Sequence, residues 1–263
     1  MTTPRLLLTG ATDGIGRALA HALHARGVRL VAHGRSPAKL AELAAELPGI
    51  ETTVADFARL ADVAALAQRL LADATPLDGL IANAGVFMTE RVLTADACET
   101  SFQVNHLAHL QLMLDLLPLM PAGSRITVLA STSHEKVRAV DLNNLDWASD
   151  FAGYPAYGLA KLAQVGAAMQ LAPSLAERGI SIQALHPGSI LTKLNLTGWG
   201  GGGNPDPDEA VRRVLDLAFG PPAPTGQWWV DGQARPPNAL LLDPALRAAL
   251  FAKSLAMIGR AVP

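Results

Sequence analysis

The 263-residue chain is 50% hydrophobic and 17% charged, a balance that fills a large core and excludes a disordered chain. A net charge of −2 offers no basic surface for nucleic acid, and Cys98, the only cysteine, excludes an internal disulfide or a cysteine-based metal site and fits a reducing, cytoplasmic setting. The first apolar run, Leu6 to Leu8, is too short for a signal peptide or a membrane span, and no later stretch reaches spanning length without charge.

Apolar runs at 5–9 and 28–33 alternate with helical patterns at 15–26 and 37–47, the rhythm of βαβ units laid into a parallel sheet. The rhythm continues with Glu51 to Val54, a helix over 58–74, a strand at 77–83 and a helix from Ala95 to Leu117 stopped by Pro118. A fifth strand covers 125–131. A helix over 155–178 ends at Gly179 and passes into a strand at 180–186. Residues 189–207 break the pattern: Gly198, Gly200, Gly201, Gly202 and Gly203 suit a mobile loop, placed to act as a lid, rather than a packed element. A helix at 208–219, a strand near 226–231 and a tail helix near 244–259 follow. With no repeat or linker, residues 1–263 are expected to form one α/β domain, a doubly wound Rossmann-type parallel sheet with helices on both faces.

The run from Thr9 to Gly16, TGATDGIG, joins the first strand to the first helix. Gly10 follows the strand and Gly14 and Gly16 open the helix, so backbone amides can approach a pyrophosphate with no side chain in the way. Taken alone, the triplet also fits a tight turn. Downstream, Tyr157 and Lys161 stand four apart, which stacks them on one helix face. An ammonium beside a phenol favours phenolate and draws the tyrosine pKa down from about 10, making a general acid near neutral pH. At the end of the second strand, Gly34 and Arg35 stand where sites that select NAD place an acid; an arginine suits a 2′-phosphate, so NADP(H) is favoured over NAD(H). Asp13 works against that phosphate, and Arg17 is a candidate to compensate.

His21 and His24, and His106 and His109, lie three apart on predicted helices, with no cysteine or carboxylate at ligand spacing, so they read as helix-face histidines and no metal is expected. Trp228 and Trp229 alternate across a strand, one toward the core and the other toward a substrate mouth or a subunit contact. Leu246, Leu250 and Met257 mark one face of the tail helix, for packing on the body or on a partner.

In this order and spacing the motifs resemble the short-chain dehydrogenase/reductase family over nearly the whole chain. Within it the closest likeness is to retinol-dehydrogenase-like reductases, through STSH at 131–134, Asp141-Leu142, AYGLAKLA and ALHPGSILTKL. The resemblance implies cofactor contacts from Gly10, Thr12, Asp13, Gly14, Ile15, Gly16 and Arg35. It adds Asp56 as an adenine-contacting acid with Phe57 beside it, then Asn83, Ala84 and Gly85, and then Pro187, Gly188, Ile190 and Thr192 over the nicotinamide. It further implies a catalytic set of Asn105, Ser131, Tyr157 and Lys161. Tyr157 would be the acid, Ser131 a hydrogen-bond donor to the same oxygen, Lys161 a partner of both tyrosine and nicotinamide ribose, and Asn105 the holder of a water that links the lysine to solvent. Ser133 is a rival for the serine role, and Asn105 equally fits a residue that caps or buckles its helix.

The expected activity is interconversion of a small-molecule carbonyl and an alcohol with NADP(H). A catalytically silent NADP(H)-binding regulator is the alternative, and a sugar-nucleotide epimerase would need more chain than the roughly 75 residues after Pro187. Assembly as a homodimer or homotetramer stays open, and the residues do not name the substrate.

Overall fold

Arg5–Leu8 forms β1, buried at every residue without alternation, as a strand covered on both faces requires. The computed structural model describes residues 3–261; positions 1–2 and 262–263, the ends of the expected 1–263 unit, lie outside the described residues. β1 is central in an eight-stranded sheet with β2 (Arg29–Gly34), β3 (Glu51–Val54), β4 (Gly79–Ala82), β5 (Arg125–Leu129), β6 (Ser181–His186), β7 (Trp228–Val230) and β8 (Gln233–Arg235). The order is β3-β2-β1-β4-β5-β6-β7-β8. The first seven strands run parallel, and β8, which the sequence pattern did not mark, pairs antiparallel with β7.

Alternate residues of β1 feed different cores. Leu7 joins Val63 and Leu66 of α3 (Leu60–Asp73), Leu110 of α5 (Ala108–Leu116) and Leu162 of α6 (Gly153–Glu177) on one face. Leu6 and Leu8 join Leu19 of α1 (Gly14–Ala25), Leu43 of α2 (Pro37–Glu46) and Val214 of α8 (Asp208–Phe219) on the other. This is the doubly wound sheet with helices on both faces. Trp228 lies in the first core, while Trp229 packs on the second and donates its indole N–H to Gln183 Oε1 at 3.1 Å, so it faces no substrate mouth.

Two expectations need correction. The helix expected from Ala95 begins only at Thr100, because the buried Glu99 carboxylate caps the amides of Ser101 and Phe102 at 2.8 and 2.7 Å. α4 (Thr100–Phe102) then widens into a π-helical turn, Gln103–Leu107, before α5. Residues 189–207, expected as loop, contain α7 (Lys193–Trp199). Thr192 Oγ1 accepts from Asn195 N at 3.2 Å at its start, and Gly200 closes it at φ 69°. The glycines thus terminate a short helix instead of preventing one.

After β8 a 3₁₀ turn, Ala239–Leu242, leads to α9 (Pro244–Met257), which packs along α6. No helix among the described residues is long and apolar enough to cross a membrane.

Candidate active site

The glycine run between β1 and α1 is tight enough to exclude side chains. Gly10 has φ +68°, and a Cβ there would lie 2.8 Å from Ala84 Cα; a Cβ on Gly16 would collide with the Gly10 carbonyl. Asn83 Nδ2 donates to the carbonyls of Thr9 and Gly10 at 2.8 and 3.1 Å, so this residue shapes the loop itself. Gly14, at φ +50°, brings the loop against the Thr192 methyl group, which a Cβ would approach to 2.9 Å. Bare backbone at the N-terminus of α1 is the cradle that a diphosphate fits.

Two buried histidines brace that cradle. His33 Nδ1 accepts from Gly10 N at 3.2 Å while Nε2 donates to the Ala55 carbonyl at 3.0 Å. His109 Nδ1 donates to the Asn105 carbonyl and Nε2 faces Thr9 Oγ1, both at 2.9 Å. Thr9 Oγ1 in turn accepts from the amides of Asn83 and Ala84 at 2.9 and 3.0 Å. Both imidazoles must be neutral for these bonds, and burial holds their pKa values down at about 4 and about 3. Phe57, next to Asp56, buries its ring against His33 with centroids 4.3 Å apart.

At the outer end of the cleft, Arg35 is exposed, with no carboxylate partner among the described residues, and Thr12 sits beside Gly34. Arg17 pairs with Glu46 and so does not compensate for Asp13. Lys39 does: its ammonium pairs with the Asp13 carboxylate, which Lys193 of α7 also approaches at 3.6 Å. Partial burial pushes the Asp13 carboxyl up, but the two lysines outweigh it and hold it below its usual range. Asp56, just after β3, accepts from Ala58 N at 3.0 Å.

Ile15, Ser131, Tyr157, Lys161, Pro187, Gly188, Ile190 and Thr192 line one cavity of about 310 Å³. Ser131 and Ser133 both reach it, their hydroxyls 3.1 Å apart. Lys161 does not bond the phenol: Nζ donates to the Leu129 carbonyl at 2.9 Å and Gln164 Oε1 at 2.8 Å and stands 5.5 Å from the Tyr157 ring centre. The expected fall in the tyrosine pKa is therefore reversed. Burial drives it up, opposed by a hydrogen bond from Ser131, and the same burial lowers Lys161 to about 7.

Asn105, on the π-helical turn, commits both arms of its amide to Val86: Oδ1 accepts from Val86 N at 2.7 Å and Nδ2 donates to Val86 O at 2.9 Å. Its carbonyl accepts from His109 Nδ1 at 2.9 Å, which leaves one lone pair. Gly85 packs against this asparagine.

Aromatic residues that the motifs did not mark surround the phenol. Phe87 and Trp199 each lie with ring centres 5.5 Å from Tyr157, and Tyr154 meets Trp199 edge-on at 5.9 Å. A second cavity of about 380 Å³, lined by Val137, Trp147, Pro155 and Leu159, shares Ser133 and Tyr154 with the first. Lys39, Gln164, Tyr154, Trp199 and the buried histidines thus complete a site of which the sequence offered the glycines, the serine and the Tyr-Lys pair.

With this fold and site, the chain belongs to the short-chain dehydrogenase family, whose description "short chain dehydrogenase" matches residues 5–198. A Streptomyces sp. (strain C5) protein assigned as daunorubicin C-13 ketoreductase DnrU is 31% identical over 274 aligned positions, covering 97% of this chain and 92% of that one. The WW domain-containing oxidoreductase of Drosophila melanogaster is 34% identical over 199 residues and retinol dehydrogenase 14 of Homo sapiens 32% over 210. These matches cover 71% and 72% of this chain but only 49% and 62% of the two relatives' own length. Among solved structures, an uncharacterised protein from Mycobacterium paratuberculosis superposes with a TM-score of 0.84 at 26% identity, covering 99% of this chain and 95% of that one. A short chain dehydrogenase from Burkholderia cenocepacia J2315 in complex with NADP gives 0.71 at 25%, covering 87% and 96%.

Proposed function

We propose that the protein is an NADP(H)-dependent oxidoreductase that interconverts a carbonyl and an alcohol, with Tyr157 giving and taking the proton. The observation that carries this reading is the convergence of Tyr157, Ser131 and Lys161 on one cavity whose other wall is the 187–192 stretch. The ketoreductase assignment of DnrU and the NADP complex of the Burkholderia relative support it.

The nicotinamide, when bound, supplies hydride to the carbonyl carbon. As negative charge grows on the carbonyl oxygen, Tyr157 releases its phenolic proton to it and Ser131 donates a hydrogen bond to the same oxygen. Burial keeps the phenol protonated until that oxygen becomes basic. Lys161 Nζ, with a pKa near 7 and anchored on Leu129 O and Gln164, exchanges a proton close to neutrality behind the phenol. Phe87, Tyr154 and Trp199 keep water from the phenol, and the neighbouring apolar cavity takes the non-reacting part of the substrate.

A panel of ketones and aldehydes, followed by NADPH absorbance, tests the reading. Tyr157→Phe should cut turnover of any active carbonyl by about two to four powers of ten while NADPH affinity survives. A parent silent on the whole panel, or a Phe variant of near-parental activity, rejects it.

A further inference from the structure

The turn that follows Ser131, Thr132–Lys136, carries an imidazole for which the chemistry above has no use. His134 is wholly buried. Its Nδ1 lies 2.7 Å from the Ser131 carbonyl, and its Nε2 lies 3.3 Å from the backbone nitrogen of Asn238. A carbonyl only accepts and a peptide N–H only donates, so these two contacts define one tautomer, with the proton on Nδ1 and a bare Nε2.

Asn238, in the segment between β8 and α9, holds the other side of this joint. Its Nδ2 donates to the carbonyls of His134 and Val137 at 2.7 and 2.9 Å, and its Oδ1 accepts from Leu240 N at 2.9 Å. The Trp228 ring meets the imidazole edge-on at 4.5 Å, which prevents it from turning. Ser131 is consequently gripped twice. Its carbonyl receives His134 Nδ1–H together with the His134 backbone N–H, and its Oγ accepts from Ser133 N at 3.1 Å. With its carbonyl and its Oγ both held, the serine side chain is fixed on the wall of the cavity shared with Tyr157, where its hydroxyl lies 3.1 Å from Ser133 Oγ.

We propose that His134 is the positioning residue of Ser131, locked as its Nδ1–H tautomer by the Asn238 backbone amide, so that the turn after β8 sets the aim of the serine hydroxyl. The inference rests on the carbonyl-reducing reading above. It does not make His134 an acid or base, since its ring faces two backbone atoms and no cavity.

Two variants divide the imidazole's contacts. His134→Gln reaches as far as Nε2 and keeps an acceptor for Asn238 but loses the donor to Ser131; His134→Asn keeps a donor near Nδ1 and loses the acceptor. With trifluoroacetophenone and NADPH, the Gln variant should lose about tenfold in kcat at unchanged NADPH affinity, and the Asn variant should return to within about twofold of the parent. In a Ser131→Ala background the Gln substitution should add no further loss, because the group it aims is gone. An equal loss in both backgrounds, or Asn and Gln variants equally impaired, overturns the proposal. Nitrogen-15 NMR of the labelled parent, with His134 assigned through the Asn variant, reads the tautomer without turnover. An Nε2–H imidazole or an imidazolium at neutral pH also overturns it, whereas a parent silent on every carbonyl defeats the functional reading and leaves the tautomer to decide the placement.

Discussion

Asp13 puts a negative charge in the loop where an NADP site gains from a positive one, and Lys39 cancels it. With Lys39 spent on Asp13, the exposed Arg35 is the cation left at the end of β2, a charge that suits a 2′-phosphate. We expect Arg35→Ala to weaken NADPH by about tenfold and leave NADH nearly unchanged, and Asp13→Asn, which releases Lys39, to strengthen NADPH, both read by fluorescence titration. An NADPH-to-NADH ratio unmoved by Arg35→Ala and Lys39→Ala together would take the 2′ position away from β2. Placing Asp at Gly34 is a poorer test, since a Cβ there would come within 2.9 Å of Thr12 and 3.3 Å of Leu40. Gly10, Gly14, Gly16 and the Tyr157-Lys161 pair were legible in the sequence because few other residues satisfy a positive φ, a backbone collision or an acid-base role. Lys39 and the histidines were not. The histidines answer to backbone atoms, such as Ala55 O, Asn105 O and Ser131 O, that no spacing marks, and Asn105 to both backbone atoms of Val86.

At the scale of elements, β-strands and long helices could be placed from apolar periodicity, while α7 was hidden by the glycines that follow it. Its signals were local ones: Thr192 as cap, Leu194 and Trp199 as apolar residues, and Gly198 where a Cβ would press within 2.9 Å of Phe87. We propose that 189–207 is a lid with α7 as its stiff part, joined to the glycine loop by the Thr192 methyl group and the Lys193–Asp13 contact. In hydrogen exchange the amides of Leu196 to Trp199 should exchange more slowly than those of Gly201 to Gly203 in the free protein, and both groups should slow further with cofactor and substrate. Equally fast exchange of the segment in both states would leave α7 an ornament of the surface. Glu99 shows the reverse problem: helix propensity alone carried the expected start back to Ala95, and only a buried carboxylate bonding two amides stops it at Thr100.

For the molecule as a whole, acid is the expected weakness. Burial, the largest cause for each, holds His33 and His186 at about 4 and His106 and His109 at about 3, against a usual 6.5. Below 6.5 the unfolded chain binds protons that the fold refuses, so the stability these groups confer is complete above that pH and is lost as pH falls through it toward 4. The melting temperature should already slope down from about pH 8 to about 7, where the unfolded chain binds a proton that buried Lys161 refuses, and drop more steeply below about 6.5; no steepening down to about pH 5 would mean the histidines charge freely inside the fold.

α9 has a further consequence. Leu250, Phe251 and Leu255 belong to the same core as Leu162, and Ser254 Oγ lies 2.8 Å from the Nε2 of buried His106. On α6, Gly166 leaves room for Leu241 just ahead of the helix. A protease that cut within 239–243 would therefore strip the cover from an oily flank without touching Tyr157 or the glycine loop. The clipped protein should aggregate in sedimentation velocity, and because Leu240 N also bonds Asn238 the same cut loosens the joint behind His134, so one short segment serves both the cover of the core and the setting of the serine.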